Sequence, residues 1–262
     1  MQHVDVKVHQ SVATITMDRA ETHNALSPTL MQDLRTAFSD IHQEKRVKAV
    51  VLTGAGQHFC SGVDMQVLSE ISELPQQDAA SQWYLTWRQL TEMFEELLRL
   101  PKPVIAAIDG SAIGAGFGLA LACDMIVVSE QAQLSANAVQ HGLVGGATAA
   151  LLAFRCGGAT ASRLVLSGQA IDASEAHRLG ICGPPVPSDQ IWVAANQLAQ
   201  QCGHGPREAL QANKRLLNER IGEQLMAQLA AGAADSATAC STDSAVEGIR
   251  AFVAGREPQW PQ

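Results

Sequence analysis

The amino-acid sequence predicts an α/β protein in which a mainly parallel sheet is followed by a helical C-terminal region. Three observations support this prediction. Short apolar strands alternate with helical segments, the longest strands are apolar almost throughout, and strand patterns stop at about Ser188. Alternating strands and helices favour a parallel sheet built from ββα-like units. Strands without polar alternation are expected when both faces of a sheet are covered.

The first elements have clear local signals. Residues 4–8 and 12–17 alternate apolar and polar side chains, which predicts an opening hairpin. A helix is predicted from Pro28 to about residue 42, because Ser27 is a good N-cap and proline is favoured at the first helical position.

The later elements follow from the same patterns. Apolar strands are predicted at residues 48–53, 104–108 and 125–128. Helices are predicted at about residues 188–202, 206–218, 222–234 and 243–254. We therefore predict an α/β core at residues 1–195 and a helical C-terminal subdomain at residues 196–262.

Aromatic residues concentrate between two of the predicted strands. Four of the eleven aromatic side chains (4 Trp, 1 Tyr and 6 Phe) fall within twelve positions, at Trp83, Tyr84, Trp87 and Phe94. They are interpreted as the core-facing stripe of a helix, and the alternative is an apolar wall around a ligand tail.

Composition excludes several classes of function. A hydrophobic content of 47% argues against disorder, and a net charge of −8 without any Lys/Arg run argues against nucleic-acid binding. No uncharged apolar run reaches the ~20 residues of a membrane span, and the N-terminus has no export signal, so we expect a cytoplasmic protein. Six scattered cysteines without a CxxC pair predict reduced thiols and no metal site, although one reactive cysteine stays possible.

Two glycine-rich turns are the first candidates for chemistry. Residues 54–65 and 109–120 each follow a strand and precede a helix. Small residues let a ligand approach the backbone, and the free N–H groups of a helix start point toward it. Two such turns that converge would form a two-donor oxyanion hole. A dinucleotide site is the alternative, but it requires a turn after the first strand and an acidic residue about twenty positions later, where Ala138 stands.

The sequence resembles the crotonase superfamily, the enoyl-CoA hydratase/isomerases. The motifs that carry the resemblance run in order from residue 12 to residue 260. They are Asn24-Ala25-Leu26, Ser61-Gly62-Val63-Asp64, Lys102-Pro103-Val104, Gly114-Ala115-Gly116, Ala122-Cys123-Asp124, Ile171-Asp172-Ala173, Glu247-Gly248-Ile249 and Arg256-Glu257-Pro258.

The resemblance implies a crotonase-type ββα spiral with a C-terminal helical region that forms trimers or hexamers. It implies binding of an acyl-CoA or acyl-carrier thioester, with coenzyme A as part of the substrate and no separate cofactor. It assigns the two oxyanion donors to the backbone of Val63 and Ala115, which stabilise an enolate. The substrate-binding positions that it implies are Arg19, His23, Ala25, Cys60, Ser61, Gly62, Asp64, Met65, Gly114 and Lys214, with Arg215 as the alternative to Lys214.

Two positions depart from the hydratase pattern. The resemblance places catalytic glutamates at Gly118 and Ala138, and neither residue can transfer a proton. A positioned acid or base contributes ~10²–10⁴-fold, so ordinary hydration is not expected. The first hypothesis is a diverged hydratase/isomerase with a relocated acid/base, for which His141, Glu70 and Asp64 are candidates.

Two alternatives stay open at this point. One is decarboxylation of a malonyl-type thioester, which forms the enolate without an enzymatic base. The other is a non-catalytic acyl-CoA-binding protein. The structural interpretations of the candidate residues are a packed or capping His141, a solvated Glu70 and a helix-capping Asp64.

Overall fold

The computed structural model describes residues 1–220 and 222–261. Its strands are β1 (Val4–His9), β2 (Val12–Met17), β3 (Ala49–Gly54), β4 (Val104–Ile108), β5 (Ser111–Ile113), β6 (Met125–Val128), β7 (Gln133–Ser135) and β8 (Ile171–Asp172). Its α-helices are α1 (Pro28–Gln43), α2 (Met65–Ser72), α3 (Gln76–Arg99), α4 (Ala115–Ala122), α5 (Gly146–Ser167), α6 (Ala173–Arg178), α7 (Ile191–Cys202), α8 (Arg207–Arg215), α9 (Glu223–Ala239) and α10 (Asp243–Val253).

Two sheets form the centre of the fold. The larger has the strand order β1-β2-β3-β4-β6, and the smaller has the order β5-β7-β8. In the larger sheet β1 pairs antiparallel with β2, as predicted for the opening hairpin, and the remaining neighbours are parallel. In the smaller sheet β5 and β7 are parallel, while β7 and β8 are antiparallel. The predicted α/β class is confirmed.

The central strands β3 and β4 of the larger sheet are buried on both faces. Alternate residues of β3, such as Val50 and Leu52, face the main core, whereas Ala49 and Val51 face a second core under α7. Because side chains alternate across a strand, an apolar run such as residues 49–52 is what two covered faces require. This explains why these strands lack polar alternation.

Helices α1 and α3 have the capping and packing that the sequence predicts. Helix α1 begins at Pro28, and Ser27 Oγ accepts a hydrogen bond from Leu30 N at 3.2 Å, which is a standard N-cap. In α3 the side chains of Trp83 and Phe94 are buried in the main core, while Tyr84 is 51% exposed. The core interpretation therefore holds for most of the aromatic stripe.

The helical C-terminal region is confirmed, and it is tied closely to the sheets. Helix α7 packs on β3 and β4, so it belongs to the outer layer of the larger sheet. The predicted boundary between residues 195 and 196 falls inside this helix. Helix α9 packs against α3 and α5, and α10 packs against α2. These contacts bring the end of the chain over the region where the two glycine turns lie.

Helix α5 is the one described helix that is long and apolar enough to cross a membrane by composition alone. It is interrupted at Gly157, whose φ is 78° and ψ is 160°, and it carries Arg155 and Arg163. Leu151 and Leu152 are buried in the main core. The helix thus packs as part of the domain in this structure.

Candidate functional site

The first glycine turn presents one backbone donor at the start of α2. Gly62 has φ 97°, a conformation that other residues adopt only with strain. The carbonyl of Gly62 accepts a hydrogen bond from Leu26 N at 2.7 Å, and Asp64 N donates to Leu26 O at 3.2 Å. Between these two bonds, Val63 N has no hydrogen-bond acceptor among the described residues. This N–H is available to a ligand.

The second glycine turn presents another donor at the start of α4. Gly114 is the N-cap, with φ 55° and ψ −120°, and its N–H donates to Ser135 O at 2.7 Å. Ala115 is the first residue of the helix, so its N–H has no partner in the helix. Within residues 1–220 and 222–261 the structure gives Ala115 N no acceptor.

The two turns meet at one place. The Cβ that a side chain at Gly62 would have lies only 3.3 Å from Ala115 N and 2.8 Å from Ile113 O. A bridge between Cys60 and Ala112 joins the two segments just before the turns. The donors at Val63 and Ala115 therefore border one space, which is the arrangement that an oxyanion hole requires.

That space is an apolar cavity of about 100 Å³. Its wall contains both turns, part of α3, the start of α5, and residues of α9 and α10. Trp87 and Leu90 of α3 contribute apolar surface to this wall, and both are also buried in the main core. A ligand tail against Trp87 stays a prediction. Ala115 and Val63 lie in the same wall. The cavity thus combines an apolar lining with two free backbone donors.

A family model described as enoyl-CoA hydratase/isomerase matches residues 7–262. The chain belongs to the enoyl-CoA hydratase/isomerase family. It is 31% identical over 261 residues to the 2,3-dehydroadipyl-CoA hydratase of Escherichia coli, an alignment that covers 99% of each chain.

Solved structures of other family proteins have the same fold. An enoyl-CoA hydratase from Mycobacterium avium subsp. paratuberculosis superposes with a TM-score of 0.85 at 25% identity and covers 99% of both chains. Pseudomonas aeruginosa OdaA superposes with a TM-score of 0.84 at 26% identity, over 96% of this chain and 99% of that one. The crotonase-type core and helical C-terminal region are thereby established for this chain.

The resemblance to hydratases places a glutamate at position 118, where this chain has glycine. The space that a side chain at Gly118 would need is taken up by neighbouring side chains. A Cβ at Gly118 would lie 2.7 Å from Thr148 Oγ1 and 3.1 Å from Phe94 Cε2. Thr148 lines the cavity, and its hydroxyl donates to Gly114 O at 3.1 Å. The space next to Gly118 is therefore occupied by side chains from α5 and α3, and a carboxylate at 118 would displace them.

Ala138 and His141 lie on one short 3-10 helix, Asn137–His141, that borders the cavity. A 3-10 helix has three residues per turn, so Ala138 and His141 share a face. His141 is the one titratable side chain in the described cavity wall. It therefore stands on the side of the cavity where the second glutamate would be expected.

The surroundings of His141 favour its neutral form. Its Nε2 lies 3.2 Å from Asn137 Nδ2, and its ring packs edge-on against Phe252 with 5.3 Å between centroids. Burial lowers the pKa of His141 from its ordinary value, because the imidazolium ion loses hydration there. A neutral imidazole at pH 7 can accept a proton from a ligand.

The other two acid/base candidates, Asp64 and Glu70, lie outside the cavity wall. Asp64 Oδ1 accepts from Gln66 N at 3.1 Å and caps α2, while Asp64 Oδ2 accepts from Arg19 Nη1 at 3.1 Å. Glu70 is exposed on α2 and does not line the cavity. Both carboxylates are therefore held away from the cavity, and among the three candidates His141 alone lines it.

Four of the residues expected to contact substrate line the cavity. Ser61, Gly62, Met65 and Gly114 are in the cavity wall. Cys60 lies beneath it, where burial raises the pKa of its thiol to about 12 and leaves it unreactive.

Arg19 and its neighbours lie outside the cavity wall. The Arg19 guanidinium donates to Ala25 O at 2.7 Å as well as to Asp64, so this charge is used inside the protein. His23 is exposed and stacks edge-on with His58, with 4.4 Å between the ring centroids. Their contact with the nucleotide part of coenzyme A stays a prediction.

The expectation for Lys214 is not supported by its position. Its ammonium group is buried, forms an ion pair with Asp124 at 2.7 Å, and donates to the carbonyls of Lys102 and Leu97 at 2.9 and 3.3 Å. All three donors of the lysine are thus used inside the protein, which leaves none for a phosphate. Arg215, the alternative, is exposed.

Sequence reasoning missed several residues of the wall, and three of them carry polar or aromatic groups near the turns or His141. Thr148, Asn137 and Phe252 all line the cavity. Asn137 lies beside Ala138 in the sequence, so it could have been found from the second glutamate position. Thr148 and Phe252 come from α5 and α10, and no pattern in the sequence connects them to the turns.

Proposed function

We propose that this protein binds an acyl-CoA or acyl-carrier thioester and stabilises the enolate of that thioester between Val63 N–H and Ala115 N–H. The thioester oxygen accepts both hydrogen bonds, and negative charge that develops on it is met by fixed dipoles. One such donor contributes about 3–4 kcal/mol to transition-state stabilisation, or ~10²–10³ in rate. The reaction class is that of a diverged enoyl-CoA hydratase/isomerase-family enzyme.

One observation carries this proposal. Two backbone N–H groups without an acceptor among the described residues border the same apolar cavity. Ala115 is the first residue of α4, where the helix dipole adds positive potential, and Val63 directly precedes Asp64, the N-cap of α2. The apolar lining suits an acyl chain and lowers the local dielectric, which strengthens the two hydrogen bonds.

His141 is the proposed acid/base in this reaction. It lines the cavity on the face of Ala138, and burial favours its neutral form. As a base it would take the α-proton of the thioester, and as an acid it would return a proton to the same carbon chain. A positioned group of this kind contributes ~10²–10⁴-fold.

Decarboxylation of a malonyl-type thioester is the second candidate. It is favoured by the absence of any acidic side chain from the cavity wall that the structure describes. An apolar wall destabilises a substrate carboxylate relative to carbon dioxide, and loss of carbon dioxide leaves an electron pair that the two donors can stabilise. No enzymatic base is needed for that step.

Incubation with crotonyl-CoA, a 3-enoyl-CoA and methylmalonyl-CoA separates these functions. We expect turnover of at least one of these substrates. Chromatography of the acyl-CoA products measures it. Release of carbon dioxide from methylmalonyl-CoA alone would assign the second candidate. Micromolar binding without turnover of any substrate would contradict both and leave an acyl-CoA-binding protein.

The partners proposed with this function are the thioester and further copies of the same chain. Leu216 and Leu217, which follow α8, are 48% and 55% exposed, as expected of residues that become covered in a trimer or hexamer. The mass of the particle in solution, measured by light scattering, tests this assembly. A monomer would contradict it.

A further inference from the structure

The two oxyanion donors belong to peptide groups whose carbonyls are held in different ways. In a planar trans peptide the C=O of one residue and the N–H of the next point in opposite directions. Fixing the carbonyl of Gly62 or Gly114 therefore aims the N–H of Val63 or Ala115. The partners of these two carbonyls are what orient the donors.

At the first turn the partner is main chain. Gly62 O accepts from Leu26 N at 2.7 Å, and the adjoining bridge to Val63 fixes the rest of the turn. Within the described residues no side chain hydrogen-bonds to Gly62 O. This arrangement depends on the backbone and not on the identity of a side chain.

At the second turn a side chain takes part. Gly114 O accepts from Thr148 Oγ1 at 3.1 Å and from Gly118 N at 3.1 Å. The first is the one side-chain hydrogen bond, in the part of the chain that the structure describes, to the carbonyl of either donor peptide. Thr148 is buried, and its branched Cβ restricts its rotation, so the hydroxyl is held in place.

Thr148 can occupy this position because residue 118 is glycine. A Cβ at Gly118 would lie 2.7 Å from Thr148 Oγ1, which is closer than two such atoms approach. The missing side chain at 118 and the hydroxyl at 148 are therefore parts of one arrangement. The same substitution that removes a carboxylate makes room for a group that contacts the donor peptide.

We infer that Thr148 is a positioning residue that acts through Gly114 O to orient and polarise the Ala115 N–H toward the thioester oxygen. This inference rests on the proposed function. A hydrogen bond to the carbonyl holds the plane of the peptide, and polarisation along a chain of hydrogen bonds strengthens the N–H as a donor. Gly118 supplies the space that this contact needs.

The test uses Thr148→Val, which removes the hydroxyl and keeps the shape, and Thr148→Ser, which keeps the hydroxyl. Thr53→Val is the matched control, because Thr53 Oγ1 also donates to a backbone carbonyl, Ala107 O at 3.0 Å, and Thr53 is not in the cavity wall. Gly114 O keeps its bond from Gly118 N in the valine variant, so no buried carbonyl loses its last donor.

The readout is the infrared carbonyl stretch of bound hexanoyl-CoA carrying ¹³C at the thioester carbonyl. This acyl group is saturated, so the measurement does not depend on turnover. We expect a lower frequency in the wild-type complex than in free thioester, a smaller shift with Thr148→Val, and wild-type shifts with Thr148→Ser and Thr53→Val. With a substrate that is turned over, Thr148→Val should lower kcat about 3- to 10-fold, the contribution of one hydrogen bond, with little change in KM.

Each outcome has one meaning. A wild-type shift that is unchanged in Thr148→Val would overturn the inference and leave the proposed function standing. A loss of kcat without a change in the carbonyl shift would also overturn it, since the hydroxyl would then act on another atom. Bound thioester without any wild-type shift would overturn the proposed function itself. If the valine variant does not fold, Thr148→Ala carries the same test with the same readings.

Discussion

The two sides of the cavity differ in what they are made of. One side consists of the glycine turns, where the backbone N–H groups of Val63 and Ala115 are the proposed donors. The other side consists of side chains from the 3-10 helix and from α5, including His141 and Thr148. The backbone side has the two turns that the resemblance predicts, whereas Gly118 and Ala138 stand where the resemblance predicts carboxylates. From this difference we expect binding of a thioester and transfer of protons to respond to different substitutions.

The largest effect is expected from a change on the backbone side. Gly62→Ala should lower thioester turnover at least ~10²-fold, because the new methyl group would lie 2.8 Å from Ile113 O and 3.3 Å from Ala115 N. Its positive φ adds about 1–3 kcal/mol of strain. Initial rates and the thermal midpoint measure the two effects.

Gly157→Ala is the control for strain alone. Gly157 also has a positive φ, of 78°, but a Cβ there meets no atom within 4 Å. We expect some loss of stability and a normal rate per folded molecule. If Gly62→Ala keeps a rate within about threefold of wild type, the donors are not where the structure places them.

The next effect concerns the side-chain wall. His141→Ala should reduce turnover at least ~10²-fold and leave the affinity for acyl-CoA nearly unchanged, because a proton-transfer group is lost while both donors remain. His177→Ala is a matched control, since His177 is exposed and lies outside the cavity wall. Steady-state rates and calorimetric titration measure the two quantities. An unchanged rate would remove His141 from the mechanism and favour decarboxylation.

The pH dependence follows from the same residue. Burial lowers the pKa of His141, so the neutral base persists to more acidic pH than an ordinary histidine, whose pKa is about 6.5. As pH falls, protonation removes the base, and kcat/KM should decline on the acid side with a midpoint below 6.5. Arg256 and Glu257 line the groove on the other side of His141, and Arg256 pairs with Glu247 at 2.6 Å. An acid limb that persists in His141→Ala would assign it to another group.

A smaller effect is expected from filling the space beside Gly118. Gly118→Ala should destabilise the protein by about 1–3 kcal/mol, the usual cost of overpacking, because its methyl group meets Thr148 Oγ1 and the ring of Phe94. Gly158→Ala, in α5, is the control, since a Cβ there meets nothing within 4 Å. Urea denaturation measures both. Adding Thr148→Ala to Gly118→Ala should recover part of the lost free energy of unfolding. If it recovers none, the methyl group at 118 does not clash with Thr148.

The smallest effect concerns chain length. Phe252 lines both the cavity and the neighbouring groove, and its side chain is 52% exposed. Phe252→Ala should join these two spaces. The affinity for a long acyl-CoA should then rise several-fold relative to a short acyl-CoA, because each additional buried CH₂ contributes up to about 1 kcal/mol. Val253→Ala is the control, because Val253 is exposed and lines neither space. Equal changes for all chain lengths would contradict a wall at this position.

The parts of the site that the sequence predicted are those built from adjacent residues. A strand, small residues and a helix start are read along the chain, so the turns at residues 54–65 and 109–120 could be found in advance. The strand pattern likewise predicted β1–β4 and β6, because burial on two faces leaves a local signature. Side chains that reach the cavity from distant elements, such as Thr148 and Phe252, leave no such signature.

Lys214 shows why the prediction failed for a charged residue. Coenzyme A carries phosphates, so the prediction placed a basic residue of a C-terminal helix, Lys214 or Arg215, along its path. The ion pair with Asp124, 90 positions earlier in the sequence, satisfies the charge in the interior. Pairing over that distance depends on tertiary packing, and no local pattern indicates it.

The order of synthesis has a consequence for this protein. Both turns lie within the first 120 residues, whereas α9 and α10, which contribute Ala233, Ser236 and Phe252 to the wall, are translated last. A chain that stopped before residue 223 would lack this part of the wall, and both turns would then border a space that is open to water. The wall is therefore complete only once α10, which ends at Val253, has been synthesised, and forms of the chain truncated before α9 would leave the apolar lining uncovered.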